Sequence, residues 1–158
     1  MDSAGNESGY SNEVSAMPSL LTANNEYNAD TNTVLLLHMN ETSGTTVSDA
    51  SSYRNNGSAA GTTIVDGRFG KARGFGGSST NVSVLIPHSS SMVFSNQITL
   101  EAWINFSSPS VANPRVISKG YTTGFELFID GSPSSKVVGF SDALTGSLGL
   151  RSSSQIDS

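Results

Sequence analysis

The sequence predicts an all-β protein, an antiparallel β-sandwich, on three observations. Of 158 residues, 30 are Ser, 13 Thr and 13 Asn, so 56 carry small uncharged polar side chains, and 16 more are Gly. These residue types favour turns and strand faces and compete poorly in helix interiors. Only 13% of residues are charged, too few for the solvated faces of a helix bundle. After Thr33, short apolar stretches recur between Gly/Ser/Asn clusters, the spacing of a sandwich or barrel.

The elements follow in order. Residues 1–32 read as a flexible polar tail with Met17, Leu20 and Leu21 as its only anchors, and residues 33–158 as one domain. Val34–Met39 is almost continuously apolar, as in a strand covered on both sides, although pattern alone leaves a buried helical turn open. Thr62–Val65 is a short edge-like piece, followed by Ala72–Phe75 and by Asn81–Ile86, whose Val82, Val84 and Ile86 share a face. A helical turn capped by serine is expected near Ser89–Val93. Ile98–Phe106 has the cleanest alternation, with Leu100, Ala102, Ile104 and Phe106 against Thr99, Glu101, Trp103 and Asn105. Arg115–Ser118, Phe125–Asp130, Lys136–Phe140 and Ser147–Arg151 complete the strands. Ser43-Gly44, Asn56-Gly57, Asp66-Gly67, Gly76-Gly77 and Asp130-Gly131 mark turns.

Charge and composition exclude several functions. The net charge is −5, and the eight Lys and Arg are scattered, so no basic stripe exists to neutralise phosphates and nucleic acid is not an expected partner. The absence of Cys excludes a disulfide framework, a thiol nucleophile and thiolate metal sites. The run Val34-Leu35-Leu36-Leu37 ends at His38, far short of the about 20 residues a spanning helix needs. Met1–Gly5 carries neither a basic nor an apolar signal region, so a signal peptide is not expected at this end.

Several segments, in this order and spacing, resemble one family. They are Val34-Leu35-Leu36-Leu37-His38-Met39-Asn40-Glu41-Thr42-Ser43-Gly44 running on to Asp49-Ala50-Ser51, then Asn55-Asn56-Gly57 and Gly67-Arg68-Phe69-Gly70-Lys71-Ala72. Ile98-Thr99-Leu100-Glu101-Ala102-Trp103-Ile104, Ile117-Ser118-Lys119-Gly120 and Phe125-Glu126-Leu127-Phe128-Ile129-Asp130-Gly131 follow. Together they are similar to the laminin-G-like jelly-roll domains of the concanavalin A-like lectin and glucanase superfamily. The resemblance implies two antiparallel sheets packed face to face. It also implies an incomplete domain, because similar domains continue into a Trp-His-His strand and an Ile-Asp-Glu-Val strand that this sequence lacks. A secreted or cell-surface location, within a longer parent chain carrying other domains, is implied in the same way.

Two groups of residues are candidate sites. The loop Asp49–Gly57 gathers Asp49, Ser51, Asn55 and Asn56, oxygen-bearing side chains of the kind calcium takes. The resemblance places a structural calcium near Asp49 and Asn56, with the departure that Ser52-Tyr53-Arg54 stands where similar domains commonly have Gly-Asn-Gly. The alternative is a plain Asn/Gly turn. Trp103, the sole tryptophan, shares a strand face with Glu101 and Asn105. An indole flanked by a carboxylate and an amide can stack a sugar and hydrogen-bond its hydroxyls, or the indole can extend the core beneath a loop.

Hydrolysis is not expected. Glycosidases set two carboxylates about 5–10 Å apart across the scissile bond. Glu101 is alone on its strand, and Glu126 and Asp130 would stand about 13 Å apart on a regular one. His38 and His88 lack companions at ligand or triad spacing. Asn-x-Ser/Thr sequons at Asn6, Asn40, Asn56, Asn81 and Asn105 follow from an Asn- and Ser-rich composition and matter only in a glycosylating host. The expected function is therefore a non-catalytic binding or adhesion module with a carbohydrate or protein ligand. The alternatives are a ligand-free spacer and, last, a fragment of a polysaccharide-active enzyme.

Overall fold

The computed structural model describes residues 26–76, 81–94, 97–106, 114–120, 124–132, 135–142 and 150–151. Its strands are β1 (Thr46–Val47), β2 (Gly57–Ala60), β3 (Thr63–Gly67), β4 (Gly70–Gly74), β5 (Ser83–Leu85), β6 (Arg115–Lys119), β7 (Phe125–Ser132), β8 (Ser135–Asp142) and β9 (Leu150–Arg151). They form a three-stranded sheet in the order β1-β2-β5, the β3–β4 hairpin, and a four-stranded sheet in the order β6-β7-β8-β9. Every pairing among the described residues is antiparallel. The chain is thus all-β, and the one described helical piece is a single 3-10 turn at Ser90–Met92, capped by the Ser89 hydroxyl accepting from Ser91 N–H. This architecture is consistent with the sandwich the sequence predicts.

Local chemistry explains the first sheet. Val47, Asp49 and Ser51 are all fully buried, so the period-two alternation of an extended chain continues past the end of β1 into polar residues. In β2 the buried positions are Gly57 and Ala59. They are small because β5 lies close: a Cβ on Gly57 would stand 2.9 Å from a Val84 methyl. The β3–β4 hairpin turns through Arg68 and Phe69, between Gly67 paired with Gly70. Gly70 has φ +102°, a conformation that costs glycine nothing and other residues a steric clash.

The second sheet is built on the long β7–β8 hairpin, paired from Phe125 with Asp142 to Ser132 with Ser135. Phe128 and Ile129 supply its buried apolar side chains. The Phe128 ring lies across Gly139, its cross-strand partner, where any Cβ would collide with it. A register shift between Arg115 and Ile117 bulges β6.

The structure departs from the sequence reading at several points. Val34–Met39 forms no regular strand, only one bridge between Leu37 and Asp49, and Met39 at φ 56° ends its extension. Ile98–Phe106 is not a strand either. Its described backbone has no ladder partner, and Ala102 and Ile104 on its apolar side are as exposed as Glu101 and Asn105. Alternation specifies two faces, but a ladder also needs a neighbour, and no described strand lies beside this segment. Asp130-Gly131 is not a turn: β7 runs through it to Ser132, because Asp130 pairs with Val137 and Gly131 with Lys136. The boundary expected at residue 32 lies among the described residues. Asn40 donates to Glu26 at 3.2 Å, and Asp30 and Thr33 close a small hydrogen-bonded turn. The anchors Met17, Leu20 and Leu21 lie outside the described residues, as do Gly77 and the sequon at Asn6.

Candidate functional site

The Asp49 loop is assembled by its carboxylate. Asp49 Oδ1 accepts from Leu36 N–H at 2.8 Å and Ser51 N–H at 2.9 Å. Asp49 Oδ2 accepts from the Ser51 hydroxyl at 2.7 Å and Asn55 N–H at 2.8 Å. Asp49 N–H donates to Asn56 Oδ1 at 2.9 Å. Asn55 extends the network, its amide donating to Val34 O and Ser91 Oγ, both at 3.0 Å. The Asp49 and Asn55 side chains together therefore tie the Val34–Leu37 segment, the loop and the 3-10 turn. Burial pushes the Asp49 carboxyl up, but the bonds from Leu36, Ser51 and Asn55 outweigh it and hold it below the ordinary 3.8. Hydrogen bonding to the charged form is what lowers it.

The sequence reading put Asp49 and Asn56 side by side, and the structure does bring them together. The residues present do not fit a calcium site. Calcium takes about six to eight oxygens, whereas both carboxylate oxygens of Asp49 and the amide oxygen of Asn56 already face protein donors. Equal melting midpoints are expected in millimolar calcium and in chelator. A midpoint raised by calcium would assign the ion to this loop.

Arg54 carries the backbone strain of the loop, with φ 53°. A left-handed conformation costs a non-glycine residue about 1–2 kcal/mol, and the one compensating contact is a long bond from Arg54 Nη1 to Asp49 O, at 3.4 Å. Arg54→Gly is therefore expected to stabilise the fold by about 0.5 kcal/mol after the extra chain entropy of glycine is counted. Thermal melting checks this, and a lowered midpoint would show that the side-chain bond outweighs the strain.

The second cluster forms around Trp103, which is 59% exposed. The tip of the β3–β4 hairpin reaches it. The Phe69 ring stands edge-on to the indole, with centroids 6.1 Å apart and planes at 85°. The Arg68 guanidinium carbon lies 4.1 Å from the Trp103 centroid and 5.3 Å from that of Phe69. Edge-to-face rings and a cation over an indole are both attractive geometries. They hold Trp103 in one place without covering it. Glu101 and Asn105 are exposed on the same segment. Sequence reasoning found Trp103, Glu101 and Asn105 but missed Arg68 and Phe69. The available signal was a pair of large side chains at a two-residue hairpin tip, where neither can reach a core.

The remaining candidates go elsewhere. Glu126 is 5% exposed on β7, and its Oε1 accepts from Ser118 Oγ at 2.8 Å and Arg115 Nε at 3.3 Å. Asp130 is half-buried further along the same strand. His38 is half-buried, with Nδ1 3.6 Å from Glu26, and His88 is exposed. Arg73, unremarked in the sequence, is 7% exposed and fastens the chain before β1, donating to Gly44 O at 3.0 Å and Thr46 O at 3.3 Å beside Glu41 at 3.5 Å. No helix among the described residues is long and apolar enough to cross a membrane. Comparisons with protein-family models, with curated proteins and with solved structures give no match in any of the three.

Proposed function

We propose that this chain is a non-catalytic binding module with a laminin-G-like jelly-roll topology, and that it holds carbohydrate on Trp103 as part of a longer secreted or cell-surface protein. The observation that carries the proposal is the exposed indole, 59% accessible, held by an edge-type contact with Phe69 and by Arg68 over one of its faces. A large apolar ring left in water has a hydrophobic cost, and a pyranose face that stacks on it removes that cost. Glu101 and Asn105 supply an acceptor and an amide for the hydroxyls around the stacked ring. The antiparallel all-β architecture and the ordered sequence motifs support the jelly roll. A binding rather than a hydrolytic role is supported by the carboxylates: Glu126 is buried and engaged by Ser118 and Arg115, whereas Glu101 is exposed.

Because Trp103 is the sole tryptophan, intrinsic fluorescence reports on this site alone. Titration with a panel of oligosaccharides is expected to change the emission for at least one of them and to protect it from iodide. A Trp103 that iodide reaches equally with and without every saccharide would support a ligand-free spacer instead.

A further inference from the structure

Arg68 is one of two described cations that lie over an aromatic ring and pair with no described carboxylate; the other, Lys119, is part-buried, donates to Met92 O and lies 5.8 Å from the Phe94 ring centroid. Among the described residues Lys71, Arg73 and Arg115 each pair with a carboxylate, and Arg54 donates to a backbone carbonyl. Among the described residues no carboxylate lies within ion-pair reach of Arg68, although the chain carries a net charge of −5. It is exposed, and its guanidinium is stationed over the indole at 4.1 Å. Contact with a ring occupies the face of a guanidinium and leaves its N–H edge free to donate, in the fork that matches a planar carboxylate.

We propose that Arg68 makes the Trp103 platform selective for acidic sugars, specifically those with a uronic acid carboxylate. This rests on Trp103 being a saccharide platform. The exposed part of the indole takes the apolar face of a pyranose, and Arg68 takes the carboxylate of that sugar or of its neighbour along the chain. Glu101, exposed on the same segment, accepts from hydroxyls and repels a second anion placed beside it. The net negative charge of the whole chain also opposes densely charged polymers. One carboxylate per sugar therefore suits the site better than several sulfates per sugar.

The test is a titration of the whole chain at low ionic strength with three probes of equal length: a neutral galactose oligosaccharide, an oligogalacturonate and a sulfated galactose oligosaccharide. Binding is read by Trp103 emission. The oligogalacturonate is expected to bind about tenfold more tightly than the neutral probe, the scale of one charge-assisted hydrogen bond. Arg68→Met is expected to erase that preference, bringing the uronate and neutral probes to equal affinity, and added salt to weaken only the acidic probe. Equal affinity for neutral and uronate probes, or a preference that survives in Arg68→Met with an unchanged melting midpoint, would overturn the proposal while leaving the platform standing. Tighter binding of the sulfated probe would overturn the assignment to carboxylates. Binding of none of the three would remove the platform and this proposal with it.

Discussion

Asp49→Ala is expected to lower the unfolding free energy by about 3–5 kcal/mol, the range for removing one partner of a buried charged network. The four donors that converge on the carboxylate come from Leu36, Ser51 and Asn55. Alanine leaves them in a site where residue 49 has no exposed surface, so each loses its partner without regaining water. Chemical denaturation measures the loss, and a change under about 1 kcal/mol would show that the loop holds without its carboxylate. Asp49→Asn is the more discriminating variant. It keeps the shape but cannot accept four bonds, because one oxygen becomes an amide donor. The pH dependence has a fixed sign. The folded carboxyl sits below 3.8, so its stabilisation is fully present above the unfolded value and is lost as pH falls through the lower folded value. The wild type should lose stability as pH falls below about 4, and Asp49→Asn should lose less over the same interval. Asp30 and Asp66 are also lowered, by Thr33 and Lys71, but both are retained in the variant, so the difference between the two proteins isolates Asp49.

Trp103→Ala is expected to weaken saccharide binding at least thirty-fold, about 2 kcal/mol, the scale of a central aromatic anchor. Calorimetry is the measurement, since the substitution also removes the only tryptophan. Stability should change little, by about 1 kcal/mol or less, because an exposed ring contributes mainly its contacts with Phe69 and Arg68. Trp103→Phe should recover part of the affinity, since a smaller ring still stacks. Unchanged affinity in Trp103→Ala would move the binding surface elsewhere on the molecule.

The two sites were legible to different degrees. Asp49 stood out because a carboxylate between serines and an Asn-Asn-Gly turn is chemically conspicuous, but its task was not visible. A calcium ligand and a hydrogen-bond hub use the same oxygens. The choice turned on where Leu36 N–H points, thirteen residues away in the chain. Trp103 was visible as an indole on a polar face. Its exposure was not, because the alternation of Ile98–Phe106 is equally compatible with a covered ring. Arg68 and Phe69 join it only because a two-residue turn brings the hairpin tip across to it.

The same division holds for the whole chain. Residue chemistry alone determined that this protein is made of short antiparallel strands: serine, threonine, asparagine and glycine disfavour long helices and favour turns, and apolar positions separated by one polar residue have a face only in an extended chain. Tertiary structure decided which of those extended segments became ladders. Phe125–Ser132 gained a partner on each side, and Ile98–Phe106 gained none among the described residues. Strand pairing joins residues far apart in sequence, so a local pattern can state that a segment has two faces but not what lies along its edges.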